Sequence, residues 1–535
     1  MDQYKYYDAV VVGAGFAGLY AAHKLSNEGN FSVKGIEAGS GVGGTWHWNR
    51  YPGARCDTEG YIYCYSFSEE LLEEWDWEGK YPTQPEILEY LNHVTDRFGL
   101  RQIFDFNTRV AHAHYLEAEQ MWDVRTDDGE RYRARYLVLG IGHLSIARYV
   151  PEIPGLDSFS GEWHHTAAWP EGTALEGKRV AVLGTGSTGV QVVSEIASKT
   201  AELYVLQRTP QYAIPAQHHT IGRQELTELK GRYGQVWDVA RHSAGGYPWQ
   251  HNGRSVLEDT AVERNETLEM MWNKGGLEFA YGSYRDISLD RRANDIVSEF
   301  IREKTRERIT NEAMWDHLVP VDFPFLARRP IVETNYYEVY ANEHVHLCDL
   351  RYQKFEGMVP EGIVIDGEVV PIDVMIFATG FDAITGPYFG IDIQGAGGQP
   401  LREAWQDGPN SYLGLMTHGF PNMFMLTGPG STTGNLPVSI ENHVDWVHDL
   451  MKWMDANGNG SIQPDIEAQR MWTETVGEQA YKSVIPLAES WFTGSNIPGK
   501  KKSFLFYLGH FGSYREECQR VASSGYEGFE VRDRV

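Results

Sequence analysis

YDAVVVGAGFAG, residues 7–18, is an apolar, β-branched run that stops at three glycines, Gly13, Gly15 and Gly18, and continues as LYAAHKL, whose apolar spacing is helical. Strand, tight turn and helix in that order make a dinucleotide-binding unit. Gly13 permits the turn, Gly15 lets backbone approach a pyrophosphate, and Gly18 lets the helix lie close on the strand. The amides at the helix start attract the phosphates. The following strand, in SVKGIEA, ends at Glu37, about 20 residues onward, where a carboxylate accepts both hydroxyl protons of an adenosine ribose and rejects a 2′-phosphate.

KRVAVLGTGSTGVQVVSEIA repeats the pattern with Gly184, Thr185, Gly186, Ser187, Thr188 and Gly189, but its second strand, AELYVLQRTP, ends differently. Arg208 and Thr209 stand where the first unit has Glu37. A guanidinium suits the dianionic 2′-phosphate of NADP. One chain with both units is expected to carry FAD and NADPH. Two apolar strands, RYLVLGIGHLS (135–145) and PIDVMIFATGFDA (371–383), end in small residues and are read as crossings between the two domains.

A chain of 535 residues is too long for a single core. Hydrophobic residues at 42% and charged residues at 23% describe a globular protein. The 47 basic and 74 acidic residues leave a charge of −27, which argues against a nucleic-acid partner and requires a local basic pocket for any anionic cofactor. Four scattered cysteines, Cys56, Cys64, Cys348 and Cys518, encode neither a disulfide framework nor a zinc site, so no metal is expected. The N-terminus enters a strand without a leader pattern, and there is no run of 18 apolar residues; a soluble, cytoplasmic protein without a membrane partner is expected.

FSGEWHHTAAWP (159–170) fits the pattern FxGxxxHxxxWP, with Phe159, Gly161, His165, Trp169 and Pro170 at the fixed places. It resembles the fingerprint of Type I Baeyer–Villiger monooxygenases, and the likeness extends to GGTWHWNRYPGARCDTE (43–59), FLARRPIVETNYYEVY (325–340) and SWFTGSNIPGK (490–500). The branch it looks most similar to is the cyclohexanone monooxygenase one. The resemblance implies an enzyme that uses FAD, NADPH and O2 to insert oxygen beside a ketone, giving an ester or lactone through a flavin C4a-peroxide. That species must stay deprotonated to attack a carbonyl, so cationic support is needed. Arg329 matches the arginine placed over the flavin, and Asp57 matches the aspartate that orients it.

The same resemblance implies cofactor contacts from Phe16, Gly44, Thr45, Trp46, Trp48, Arg55, Cys56, Asp57, Tyr63 and Val110, and from Gln191, Arg328, Asp382, Leu436 and Trp491. Arg328 departs from the lysine typical of relatives, replacing a point charge by a fork. Trp491, near Gly494, Pro498 and Gly499, is read as part of a mobile lid. The loop Gly428–Pro437 supplies the expected substrate pocket through Ser431, Thr432, Thr433 and Leu436. His165 is expected to hold domain geometry.

The expected fold is α/β, with two Rossmann-like dinucleotide-binding domains and a helical insertion. The FAD domain takes 1–143 and 380–535, a linker 144–151, the NADP domain 152–214 and 325–379, and the insertion 215–324, whose aromatics Trp237, Trp272, Phe279 and Tyr281 are assigned to its core. A monomer acting on a small ketone is expected. Three other classes compete. Disulfide reductases need a cysteine pair where this chain has Trp46 and Trp48. A flavin monooxygenase oxidising amines or sulfides would use an electrophilic hydroperoxide, against which Arg329 and Trp169 speak. The third is a noncatalytic NADP sensor, which would purify colourless.

Overall fold

A computed structural model describes residues 4–144 and 148–535. Residues 145–147, inside the expected linker and at the end of the first crossing strand, lie outside the described residues.

The strand Lys5–Val12 runs through the middle of the first sheet, flanked by parallel partners Val33–Ile36 and Arg131–Leu139. Its valines are buried on both faces, Val11 in a core with Phe16, Leu19 and Tyr20 of the following helix, Val10 and Val12 in a second core with Trp122, Leu137, Phe420 and Met425, which accounts for the unbroken apolar run. Phe104–Asp105 closes one edge; Val110–Leu116 and Met121–Thr126 extend the other, ending in the short strand Asp392–Gln394. Met423–Met425 also joins Arg131–Leu139, so residues from beyond position 380 return to this sheet.

The second sheet is wholly parallel, in the order Val345–Asp349, Glu202–Gln207, Arg179–Leu183, Val374–Phe377 and Glu162–His165. The FSGEWHHTAAWP segment therefore becomes its edge strand and the turn that leaves it. Phe159 and Trp169 are buried on opposite faces of the sheet, and Pro170 is exposed. A Cβ at Gly161 would sit 2.4 Å from both the Asp373 carbonyl oxygen and the Phe159 ring, so no side chain fits there.

Between the parts of the second sheet lie the helices Arg223–Lys230, Tyr233–His242, Ala261–Lys274, Gly276–Gly282 and Arg291–Arg308. Thr260 and Glu263 form a reciprocal cap at the start of the third of these, and Asp290 caps the last. Trp272 and Phe279 belong to the core of this unit, and Trp237 packs into the core under the first sheet. Tyr281 is 36% exposed and stands at the site described below; the assignment of this ring to the core does not hold. No helix of the described residues is long and apolar enough to cross a membrane.

Candidate active site

The first glycine turn is fixed by contacts only glycine permits. A Cβ at Gly18 would lie 1.8 Å from the Gly13 carbonyl oxygen, and one at Gly13, whose φ is +96°, would lie 2.6 Å from that of Gly140. Gly15 faces Gly44 backbone to backbone. The helix Phe16–His23 has no side-chain cap, which leaves its first amides available to phosphate. Glu37 accepts from the Ala14 and Gly39 amides at 2.6 Å each, and burial pushes its carboxyl up despite these bonds. One side of the cradle is aromatic: the Phe16 and Tyr63 rings are 5.2 Å apart, and Trp46 donates to the Tyr63 hydroxyl at 3.2 Å. Thr45 and Trp48 lie on the short helix that opens at Gly44, and Val110 is buried at the start of its strand.

The second turn has the same build. Gly184, with φ +108°, packs on Ala378, and Gly189 on Gly184, while Gly186 has nothing within 4 Å of its would-be Cβ and faces open space. The helix Ser187–Ile196, which carries Thr188, is also uncapped. Thr185 donates to the Thr209 carbonyl at 3.4 Å. Arg208 follows the strand Glu202–Gln207 directly, as Glu37 follows Val33–Ile36. Arg328 stacks on the Phe323 ring at 4.4 Å. Burial, then the charge of Arg208, lowers its pKa. Among the described residues neither arginine has a carboxylate within ion-pair distance, and the Arg328 Nε is buried without a partner. Two adjacent guanidiniums short of anions fit a phosphate dianion.

Gln191 joins the two dinucleotide units, accepting from the Tyr51 hydroxyl at 2.8 Å and donating to the Arg55 carbonyl at 3.1 Å. Past Arg55 the chain turns Asp57 toward Arg329, 272 residues away in sequence. Arg329 donates from Nε to Asp57 Oδ2 at 3.0 Å and from Nη2 to both carboxylate oxygens at 2.6 and 2.7 Å. Among the described residues no acceptor bonds its Nη1. Burial, the largest single influence, would lower the guanidinium's pKa, but the charge and hydrogen bonds of Asp57 together with Tyr247 and Tyr281 outweigh it and the net shift is upward.

Leu326, Ile384 and Thr427 border this region with φ of +67°, +68° and +57°, a left-handed backbone that side chains of these types rarely adopt. The insertion contributes Tyr247 and Tyr281, whose rings are 5.2 Å apart and whose pKa values both respond to Arg329. Trp249 stacks on Tyr247 at 4.7 Å. His143 donates to the Thr427 carbonyl at 2.9 Å; burial, aided by the charge of Arg329, lowers its pKa to about 4, so it is neutral at ordinary pH. Tyr247, Trp249 and Tyr281 lie in no motif of the sequence. His143 alone had a readable signal, its place directly after Gly140-Ile141-Gly142 at the end of a parallel strand.

In the Gly428–Pro437 loop, Thr433 and Leu436 keep accessible surface, whereas Ser431 and Thr432 are buried with their hydroxyls bonded to Gly428 and Ser439. Asn435 ties the loop to both other parts, donating to the Ile62 and Gly246 carbonyls at 2.9 and 3.1 Å. The tail pairs with the same loop: Tyr507 donates to Ser431 and Gly430 to Leu505, each at 2.9 Å. Trp491 is half-buried against Phe492 and Phe506. Asp382 is in an ion pair with Lys500, and Asn496 donates to the Phe381 carbonyl at 2.9 Å. Such a partly exposed pair is worth up to about 1 kcal/mol. Lys500→Ala should therefore speed amide hydrogen exchange across 490–508 by roughly fivefold, with the sheet cores unchanged; an unaltered rate would show that Asp382 does not hold the tail.

His165 sits at the crossing between the units. Its Nδ1 accepts from the Ala167 amide at 3.1 Å, its ring meets Phe381, and burial lowers its pKa to about 4. There Tyr149 donates to the Gly380 carbonyl and Thr379 to the Tyr149 carbonyl.

Residues 10–228 match the family described as pyridine nucleotide-disulphide oxidoreductase. All four cysteines are free and buried, and burial pushes the Cys56 and Cys64 thiols up, so the dithiol chemistry in that description has no thiolate here. The chain is 43% identical over 531 residues to a Baeyer–Villiger monooxygenase of Pseudooceanicola batsensis, covering 99% of this chain and 97% of the relative. It is 41% identical over 526 residues to a phenazine N-monooxygenase of Lysobacter antibioticus, covering 98% and 97%. The structure of cyclohexanone monooxygenase from Rhodococcus sp. Phi1 bound to NADP+ superposes with a TM-score of 0.97 at 42% identity, covering 99% of this chain and all of the other. Full-length likeness at this level, on a chain with two dinucleotide turns and an Asp57–Arg329 pair between them, places it: the chain belongs to the Baeyer–Villiger monooxygenase family.

Proposed function

We propose that the protein is an FAD-containing, NADPH- and O2-dependent monooxygenase that inserts one oxygen atom next to a ketone carbonyl, giving an ester or lactone, with cyclic ketones as the substrate class. The observation that carries this reading is the Asp57-held guanidinium of Arg329, whose Nη1 has no acceptor among the described residues. Bound FAD would supply the redox chemistry, passing two electrons from NADPH to O2 so that one oxygen atom of O2 enters the ketone and the other leaves as water. Arg329 supplies fixed positive charge where the carbonyl oxygen becomes negative, and Asp57 keeps it from swinging away. Tyr247, Trp249 and Tyr281 give the ketone an aromatic wall. Glu37 and the Phe16–Tyr63 side of the cradle hold the flavin dinucleotide; Arg208 and Arg328 hold the 2′-phosphate of NADP.

A second reading, N-oxygenation of an aromatic heterocycle, is favoured by the 41% identity to the phenazine N-monooxygenase. Oxidation of a nitrogen lone pair needs an electrophilic oxygen and gains nothing from a fixed cation at the acceptor. Purified holoenzyme given NADPH, O2 and parallel panels of cyclic ketones, linear ketones and aromatic N-heterocycles should form lactones identified by mass spectrometry. N-oxides without esters would reverse the assignment.

A further inference from the structure

At the far edge of the first sheet, away from both glycine turns, the strand Asp392–Gln394 pairs in parallel with Val110–Leu116, placing Asp392 beside His112 and Gln394 beside His114. Alternate residues of a strand share a face, so all four side chains project from the same side as a two-by-two array. The His112 Nδ1 is 3.2 Å and the His114 Nε2 2.8 Å from one oxygen of Asp392, and the three atoms lie within 4.8 Å of one another. Gln394 reaches both Asp392 oxygens at 3.1 and 3.2 Å.

We propose that His112, His114 and Asp392 form a surface site for a divalent transition-metal ion of the zinc type, unrelated to oxygen insertion, that clamps the short edge strand to the sheet. Imidazole nitrogens and one carboxylate oxygen are the donor set zinc favours, at about 2.0–2.2 Å each, which sets neighbouring ligand atoms about 3.3 Å apart in a tetrahedron. The observed separations from Asp392 already approach that figure. Water or the Gln394 amide oxygen, after its amide turns over, completes four ligands. The three side chains are 48%, 30% and 42% exposed, so an ion enters without any opening of the fold. On the other side of His112 and His114, Asp123 pairs with Arg125 at 2.7 Å and with Arg133 at 3.1 Å, and Arg133 also faces Glu119 at 3.7 Å, so two arginines and two carboxylates balance there, while the net charge of −27 favours a cation. The scattered cysteines encode no zinc site; the histidines make one only through strand register.

The test uses tag-free, FAD-loaded protein titrated with Zn2+ by calorimetry and with Co2+ by visible absorption. The wild type should bind one equivalent with a tetrahedral cobalt spectrum and melt at a higher temperature with zinc present. His114→Ala and Asp392→Ala should each weaken this binding by about tenfold or more, with flavin spectrum and ketone turnover unchanged. Equal zinc binding by wild type and variants, or none by the wild type, would overturn the proposal: the three residues would then be surface ion pairs.

Discussion

Arg329→Ala is expected to give a yellow, FAD-loaded protein that still oxidises NADPH and makes almost no ester, a loss of ketone oxygenation of about 100- to 1,000-fold or more. Glu37, Phe16 and Tyr63 of the flavin cradle make no hydrogen bond or ion pair to this side chain, whose partner is Asp57, so retention of FAD should not change. Only the positive charge facing the reacting oxygen is lost. NADPH consumption and ester formation should separate, with hydrogen peroxide making up the difference. The variant also strands Asp57, a half-buried carboxylate, and an uncompensated buried charge costs roughly 3–5 kcal/mol. An Asp57→Asn, Arg329→Ala double variant relieves that cost and should be more stable but equally inactive. Arg329→Lys keeps the charge without the planar fork that Asp57 grips, and should recover only a small part of the rate. A normal lactone yield from Arg329→Ala would remove this residue from the reaction.

Arg208→Ala is expected to raise the Michaelis constant for NADPH about 10- to 100-fold and leave that for NADH nearly untouched. A hydrogen bond to a charged group is worth about 1.5–3 kcal/mol, and each 1.4 kcal/mol is a factor of ten. The direction follows from the crowding of the two cations: Arg328 is held below its ordinary pKa by burial and by Arg208, so an arriving dianion relieves repulsion as well as making bonds. Arg328→Lys should cost less than Arg208→Ala, because a lysine keeps charge at this place while losing the stack on Phe323. Steady-state kinetics with both cofactors decides it. Equal effects on NADPH and NADH would mean that Arg208 shapes the loop and does not read the phosphate.

The family resemblance rested on short segments, and short segments also explain why the α/β class and the two cofactors could be read before any coordinates. Glycine spacing, the period of apolar residues and the sign of charge after a second strand are properties of at most about 40 contiguous residues. His165 and Trp169 show where that ends. The fingerprint named them, but only the pairing of Glu162–His165 with Val374–Phe377 shows that the motif is a sheet edge beside a crossing.

The motif residues Ser431 and Thr432 lie on the loop expected to line the pocket, yet their hydroxyls face inward. The reverse happened at Tyr281, an aromatic of the insertion assigned to its core, whose ring packs on Tyr247 and is 36% exposed. Periodicity marks a face of a helix without saying what that face meets.

Local chemistry alone therefore pointed to two nucleotide cradles with different ribose ends, and the family resemblance supplied the identity of the charged pair. Tertiary packing decided that Asp57 and Arg329 touch, that Tyr247, Tyr281 and His143 come within electrostatic reach of Arg329, and that His112, His114 and Asp392 share one face. The Asp57–Arg329 and histidine–Asp392 contacts join residues 272 to 280 positions apart. Their geometry depends on how separately folded units dock, which no stretch of neighbouring residues encodes.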